Sequence, residues 1–280
     1  MSERRASIYD KDEYYADSAR GARLSPMLEW AVRLLDRRRA RAVVRATGLH
    51  SGKLLDVGAG DGKFMHYMQR LGFDARGTTA SRRSATAAKA MFGLELDLTE
   101  TLEQELPRGP FDLVTYWHVF EHLEQPSAHT VRWPELVRPG GFIVIEVPNL
   151  CSIGARLCRR SWLGSDLSYH VNQQDPAAML DLVRDGGFEV IRVEQFSGKY
   201  SYAYLWSALL GRLFGRRYEF DEILGVLKTP SRSLKARPLW TVNALAAVGY
   251  LAPVILILML YGCMTDRGEV LRIYARRRSP

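Results

Sequence analysis

The sequence is short of cysteine and of acidic side chains, and it has no apolar run near its start. Three cysteines, Cys151, Cys158 and Cys263, make no paired framework and no close-set metal pattern. They are expected as reduced thiols, and a disulfide-stapled fold is excluded. The opening "MSERRASIYDKDEYY" has no apolar core of signal-peptide length, so nothing in it suggests export. Asp and Glu number 31 against 39 Lys and Arg, giving a formal net charge of +8. No internal repeat is visible.

At 280 residues, 47% hydrophobic and 25% charged, the composition is that of a globular chain able to bury a core. Arginines cluster at 37–39 and 41, at 159–160, at 212 and 216–217, and at 276–278, with Arg232, Lys235 and Arg237 forming a further group. Such clusters suit an anionic lipid surface or a nucleic acid, and several flank an apolar tail.

Residues 26–46 carry apolar side chains at helical spacing. From Lys53 the chain alternates short apolar runs with glycine-rich turns and helical stretches, the rhythm of βαβ units on a parallel sheet. Strands are expected at 53–57, 73–78, 94–97, 111–116, 142–147 and 188–193. "RPGG" at 138–141 reads as a helix stop ahead of a strand. Asp175 and Pro176 read as the cap and first residue of a helix that ends at Gly186-Gly187.

The motif richest in chemical meaning is "LLDVGAGDGKF" at 54–64. A strand ends in Asp56, and Gly58, Gly60 and Gly62 let the backbone pass beneath a ligand into a helix N-terminus. The spacing is GxGxG with Lys63 where a dinucleotide loop wants glycine, which disfavours a nicotinamide or flavin dinucleotide.

This block, followed by "FDLVTYWHVFEHL" at 111–123 and "LVRPGGFIVIEVPN" at 136–149, resembles the class I S-adenosylmethionine-dependent methyltransferases, in particular their ubiquinone-type bacterial branch. The resemblance runs from about residue 52 to 195 and includes "SYHVNQQDPAAMLDLVRDGGFEVI". It implies a doubly wound α/β fold with a seven-stranded, mostly parallel sheet, to which this chain is expected to add an apolar helical insertion before the last strand. It also implies S-adenosylmethionine as cofactor: Asp56, Gly58, Gly60 and Gly62 would hold the methionine half, Asp97 and Leu98 would read the adenine, and Trp117 would lie near the substrate mouth. Family members usually end the second strand with Asp or Glu for the ribose hydroxyls. Here Thr79 stands there, and a neutral hydroxyl lacks the charge-assisted pair of bonds.

Methyl transfer from a sulfonium is an in-line displacement in which the protein aligns the acceptor and, for a hydroxyl, removes its proton. The candidates for proton removal are His170, which matches a family histidine facing the acceptor, and His118, Glu121 and His122. If residues 118–122 begin a helix, His118 and His122 share a face. Two histidines and a carboxylate also resemble a metal site, and some ubiquinone-type relatives use a divalent ion, so a metal stays open.

Between Arg237 and Asp266 the chain has 28 residues without a charged side chain, whereas a bilayer-crossing helix needs about 20. By length a spanning helix leads. "GEVLRIYARR" at 268–277, however, is the segment left to supply the family's antiparallel seventh strand, and a strand of a cytoplasmic sheet cannot follow a single crossing. Pro253 would kink or break the helix, and both flanks are basic. The expectation is therefore a monotopic hairpin or kinked interfacial helix, supported by an amphipathic stretch at 200–214. The domains read as an extension at 1–50, a cofactor domain at 51–195, a membrane-associating or lid insertion at 196–267, and a closing strand with basic tail at 268–280. The expected protein is an O-methyltransferase of a lipid or lipid-linked acceptor, peripheral or monotopic at the cytoplasmic face of a membrane. A non-catalytic membrane-bound interaction protein and an RNA methyltransferase are the alternatives, although no aromatic-basic RNA motif supports the latter.

Overall fold

The computed structural model describes residues 26–99, 106–158, 161–165, 170–173, 175–198, 200–214 and 238–279. Helix α1 (Pro26–Thr47) precedes β1 (Gly52–Val57), α2 (Lys63–Gln69), β2 (Phe73–Thr79), α3 (Arg82–Phe92), β3 (Asp97–Leu98) and β4 (Phe111–Trp117). Then follow α4 (Pro126–Thr130), α5 (Trp133–Leu136), β5 (Val137–Pro148), α6 (Ile153–Leu157), α7 (Pro176–Asp185) and β6 (Phe188–Glu194). Two longer helices, α8 (Tyr200–Phe214) and α9 (Pro238–Met264), lead to β7 (Val270–Arg277).

The strands form one seven-stranded sheet in the order β3-β2-β1-β4-β5-β7-β6. All neighbouring pairs are parallel except those of β7, which runs antiparallel between β5 and β6, with Ile145 opposite Ile273 and Val193 opposite Ile273 on the other side. The expected doubly wound fold and closing strand are both present. The sheet is covered on both faces, which is why its inner strands read as continuous apolar runs. One face packs Leu55, Val114, Tyr116, Ile143, Ile145 and Ile273 against Trp133, Leu136, Met179 and Val183. The other packs Leu54, Leu113, Val144 and Tyr274 against Ala40 and Val43 of α1 and Phe64, Met65 and Met68 of α2.

Several local expectations change. The third strand is two residues long and starts at Asp97, because the chain leaves α3 through left-handed Gly93 and buries Leu94 against the core before pairing with Thr78 and Thr79. "RPGG" lies inside β5, where the pairing with β4 skips between Phe111 and Leu113; the residues form an irregularity in the strand and do not stop a helix. The cap at Asp175 is as expected, its carboxylate accepting from Ala178 N at 2.9 Å. Helix α9 runs through Pro253 without a break. Leu251, Ile255, Leu258 and Met259 of α9 pack on Leu205, Trp206 and Leu210 of α8, and this contact offsets the hydrogen bond that proline forfeits. Among the residues described in full, which on α9 begin at Leu251, no helix is long and apolar enough to cross a membrane.

Candidate active site

Strand order reverses between β1 and β4, and a crevice opens there at the carboxyl ends of the strands, the usual ligand position in open α/β sheets. A cavity of about 240 Å³ lies in this crevice, walled by the turn after β1, the ends of β2 and β4, α1 and α8. The turn is shaped by three glycines with positive φ, at 68°, 55° and 74° for Gly58, Gly60 and Gly62. They divide the work. A Cβ on Gly60 would meet nothing within 4 Å, so the backbone there faces open cavity, whereas one on Gly62 would lie 2.9 Å from Leu94 Cδ1 and 3.3 Å from Ala88 Cβ. Gly62 therefore serves the approach of α2 to α3, while Gly58 and Gly60 line the cavity.

Asp56, the penultimate residue of β1, lies on the cavity wall, is buried, and accepts a 2.6 Å hydrogen bond from Thr115 Oγ1. Burial raises its pKa to about 7, against the opposing pull of Thr115 and Arg39. Thr79 lines the cavity at the end of β2, but its hydroxyl already accepts from Ser81 N at 3.3 Å. Asp97 and Leu98 are exposed on the edge strand, with the Asp97 carboxylate on Arg76 at 2.9 Å, and they are absent from the cavity wall.

Beyond Trp117 the chain turns sharply. His118 has φ 55°, and a 3-10 turn covers Phe120–His122, so the expected helical face shared by His118 and His122 is not formed. His118 instead bridges two buried carboxylates, Nδ1 to Glu121 Oε1 and Nε2 to Glu146 Oε1, each at 3.1 Å. Burial opposes its charge, but the hydrogen bonds to Glu121 and Glu146 outweigh that and raise its pKa to about 10. His118 is thus a fixed cation at neutral pH and a poor proton acceptor. Glu146 is also held by Arg272 Nε at 2.6 Å and lies 3.6 Å from Arg39, which more than offsets its burial and keeps it ionised. Arg39 and Arg272 carry their guanidinium carbons 4.7 and 5.4 Å from the ring centroid of Trp117. Helix α8 roofs this cluster: the Tyr200 ring lies 4.0 Å from that of His118, and Tyr204 Oη is 3.3 Å from His118 Nδ1.

His122 and His170 stand apart from the cation, with ring centroids 5.0 Å apart. His170 Nδ1 lies 3.0 Å from the Gly164 carbonyl, which accepts from it and leaves Nε2 unprotonated. Burial lowers the pKa of His170, so the ring is neutral at pH 7. Ligand atoms of Glu121, His122 and His170 lie within 4.8 Å of one another, and Glu121 Oε2 is buried without a hydrogen-bond partner. That orphaned oxygen beside two imidazoles fits a divalent cation. Trp117 Nε1 is likewise buried without a partner at the cavity wall.

The structure therefore gathers Asp56, Gly58, Gly60, Thr79, Trp117, His118, Glu121, His122 and His170 around one cavity and leaves Gly62, Asp97 and Leu98 outside its wall. Sequence reasoning missed Arg39, Glu146, Arg272, Tyr200 and Tyr204. Glu146, alone with its charge inside the apolar "FIVIEV", was the available signal, since a buried carboxylate demands cationic partners.

A family model described as "Methyltransferase domain" matches residues 27–193. The chain belongs to this family. A ubiquinone biosynthesis O-methyltransferase of Cereibacter sphaeroides is 30% identical over 151 residues, covering 50% of this chain and 61% of the relative. One from a Caulobacter species is 34% identical over 121 residues, 39% of this chain and 48% of the relative. The chain thus spans about six tenths or less of the length of these curated relatives. Among solved structures, a putative sarcosine dimethylglycine methyltransferase of Galdieria sulphuraria superposes with a TM-score of 0.56 at 13% identity, covering 86% of this chain and 85% of that one. A 1,6-didemethyltoxoflavin-N1-methyltransferase of Burkholderia thailandensis with bound S-adenosylhomocysteine gives 0.51 at 13% identity over 99% of this chain and 87% of that one. These structural likenesses establish the methyltransferase-type fold.

Proposed function

We propose that the chain is an S-adenosylmethionine-dependent methyltransferase acting on a hydroxyl of a lipid or lipid-linked acceptor at the cytoplasmic face of a membrane. The observation that carries the transfer reaction is the crevice at the β1–β4 reversal, where Gly60 leaves its Cβ direction open beside buried Asp56. Asp56, Gly58, Gly60, Thr79 and Trp117 would hold the cofactor, which supplies a methyl group on a sulfonium. The edge-strand position of Asp97 and Leu98 leaves adenine recognition by that pair as a proposal from the family resemblance.

For an acceptor hydroxyl, a C–O bond forms as the C–S bond breaks, and one proton must leave the oxygen. His170 Nε2 takes it: the ring is neutral, its Nδ1–H is fixed on Gly164, and it lines the cavity. His118 keeps its own proton and braces Glu121 and Glu146. A second reading of the acceptor side follows from the orphaned Glu121 Oε2. Glu121, His122 and His170 would hold a divalent cation that polarises the acceptor oxygen.

The lipid half of the proposal rests on α9. Val254, Leu256, Ile257, Leu260, Tyr261 and Met264 are exposed on the face turned away from α8, with Ile257 65% and Met264 85% accessible. A contiguous apolar face of this kind marks a docking surface for an apolar partner or a membrane. Of the other supports named from the sequence, Tyr204, Trp206 and Leu210 of α8 and Arg272 are buried, Leu213 and Arg267 are exposed, and Arg232, Lys235 and Arg237 lie outside the described residues.

The test is calorimetric titration of S-adenosylhomocysteine, followed by mass spectrometry of lipid extracts with and without the protein. Binding and a lipid gaining one methyl are expected, with turnover about a hundredfold lower or less in His170→Ala while product affinity is kept. Absence of product binding removes the transferase reading. Full turnover in His170→Ala removes the base. Turnover lost on chelation and restored by a divalent ion selects the metal reading.

A further inference from the structure

A second cavity, of about 660 Å³, lies at the same carboxyl edge of the sheet, over the end of β6 and the start of β7. It is separate from the crevice above but shares Asp36 and Arg39 with it. One wall is a single face of α1, on which Leu35, Arg38, Ala42 and Arg45 recur at helical spacing. The opposite wall is Val193 and Phe196, both about two-fifths exposed, and the rim is formed by Cys263 and Asp266 where α9 ends.

The charges here are unevenly committed. Arg39 and Arg272 serve Glu146, Glu194 is held by Arg192 and Arg272, and Asp36 acts on Lys63. Among the described residues, Arg38 and Arg45 are in no ion pair, and Asp266 is the remaining exposed carboxylate at the rim. Counting every charged wall residue, four arginines face three carboxylates, a surplus of one positive charge. The wall thus offers two free guanidiniums in a concave setting, apolar side chains between them, and continuity with the end of the helix whose outer face is apolar.

We infer that this cavity binds the phosphodiester head group of an anionic amphiphile. Arg38 and Arg45 receive the phosphate oxygens, and Leu35, Val193 and Phe196 receive the adjoining apolar part. The site stands whether or not the same molecule is the methyl acceptor.

The experiment titrates the full chain with dihexanoyl phosphatidylglycerol below its micelle concentration, with dihexanoyl phosphatidylcholine, and with inorganic phosphate. Arg38→Glu/Arg45→Glu is the comparison, and S-adenosylhomocysteine is titrated into both proteins. Phosphatidylglycerol is expected to bind at least tenfold more tightly than phosphatidylcholine or inorganic phosphate. It should lose at least tenfold in the double variant, with product affinity unchanged. Equal phosphatidylglycerol affinity in both proteins, or none in either, overturns the site. Inorganic phosphate binding as tightly as phosphatidylglycerol overturns the amphiphile. Loss of product binding in the unaltered chain counts against the transferase reading alone.

Discussion

His118 shows how a residue's type and its role part company. In the sequence it is one of three adjacent candidates for proton removal; in the fold it is a cation locked between Glu121 and Glu146. Its folded pKa of about 10 lies above the ordinary value of 6.5, so its stabilising contribution is complete below pH 6.5 and disappears as pH rises towards 10. His118→Gln is expected to lower unfolding free energy by about 3 kcal/mol at pH 6, as breaking a buried ion pair does. The difference from the unaltered protein should shrink by pH 10, as read by denaturant melts at both pH values. Legibility at this scale follows the locality of the signal. Asp56, Gly58 and Gly60 were readable because one short turn imposes their backbone demands, whereas Arg39 and Arg272 meet Glu146 only after the chain has folded across the sheet.

At the scale of elements, the glycine turn and α8 decide how the crevice is built. Gly62→Ala is expected to destabilise the protein by about 1–3 kcal/mol, since it combines φ 74° with a Cβ pressed on Leu94. Gly60→Ala should cost less stability but weaken product binding, because its methyl enters the cavity. Thermal melts and calorimetry on the two variants separate packing from binding, and equal effects on both readouts would contradict this division. The inner strands β4 and β5 were legible because burial on both sheet faces leaves nearly unbroken apolar runs, whereas the short, exposed edge strand β3 was not. The 3-10 turn at Phe120–His122 was not, since three residues carry no periodicity. In the sequence α8 reads as a membrane-facing stretch; in the fold Tyr200 and Tyr204 face the crevice and Tyr202 and Trp206 pack towards α9, while Leu213 stays exposed.

For the whole molecule, α9 couples surface and site. Its inner face packs on α8, whose Tyr200 and Tyr204 reach the crevice, and its outer face is exposed and apolar. Ile257→Asp/Leu260→Asp is expected to abolish flotation with anionic vesicles while leaving the melting temperature within a few degrees, because both side chains are more than half exposed. Vesicle flotation that survives this double change would assign membrane contact to another surface. The length and lack of charge of this segment were legible, but which side faces the protein was not, as a helix apolar all round carries no sidedness until a partner covers one face.

The placing of β7 between β5 and β6 also has a consequence for biosynthesis. Phe142 pairs with Arg276, 134 positions later, so at roughly 5–20 residues per second the edge of β5 waits on the order of ten seconds on the ribosome for its partner. Throughout that interval the growing polypeptide displays an unzipped strand edge. Nascent-chain chaperones therefore have a defined window in which to bind it.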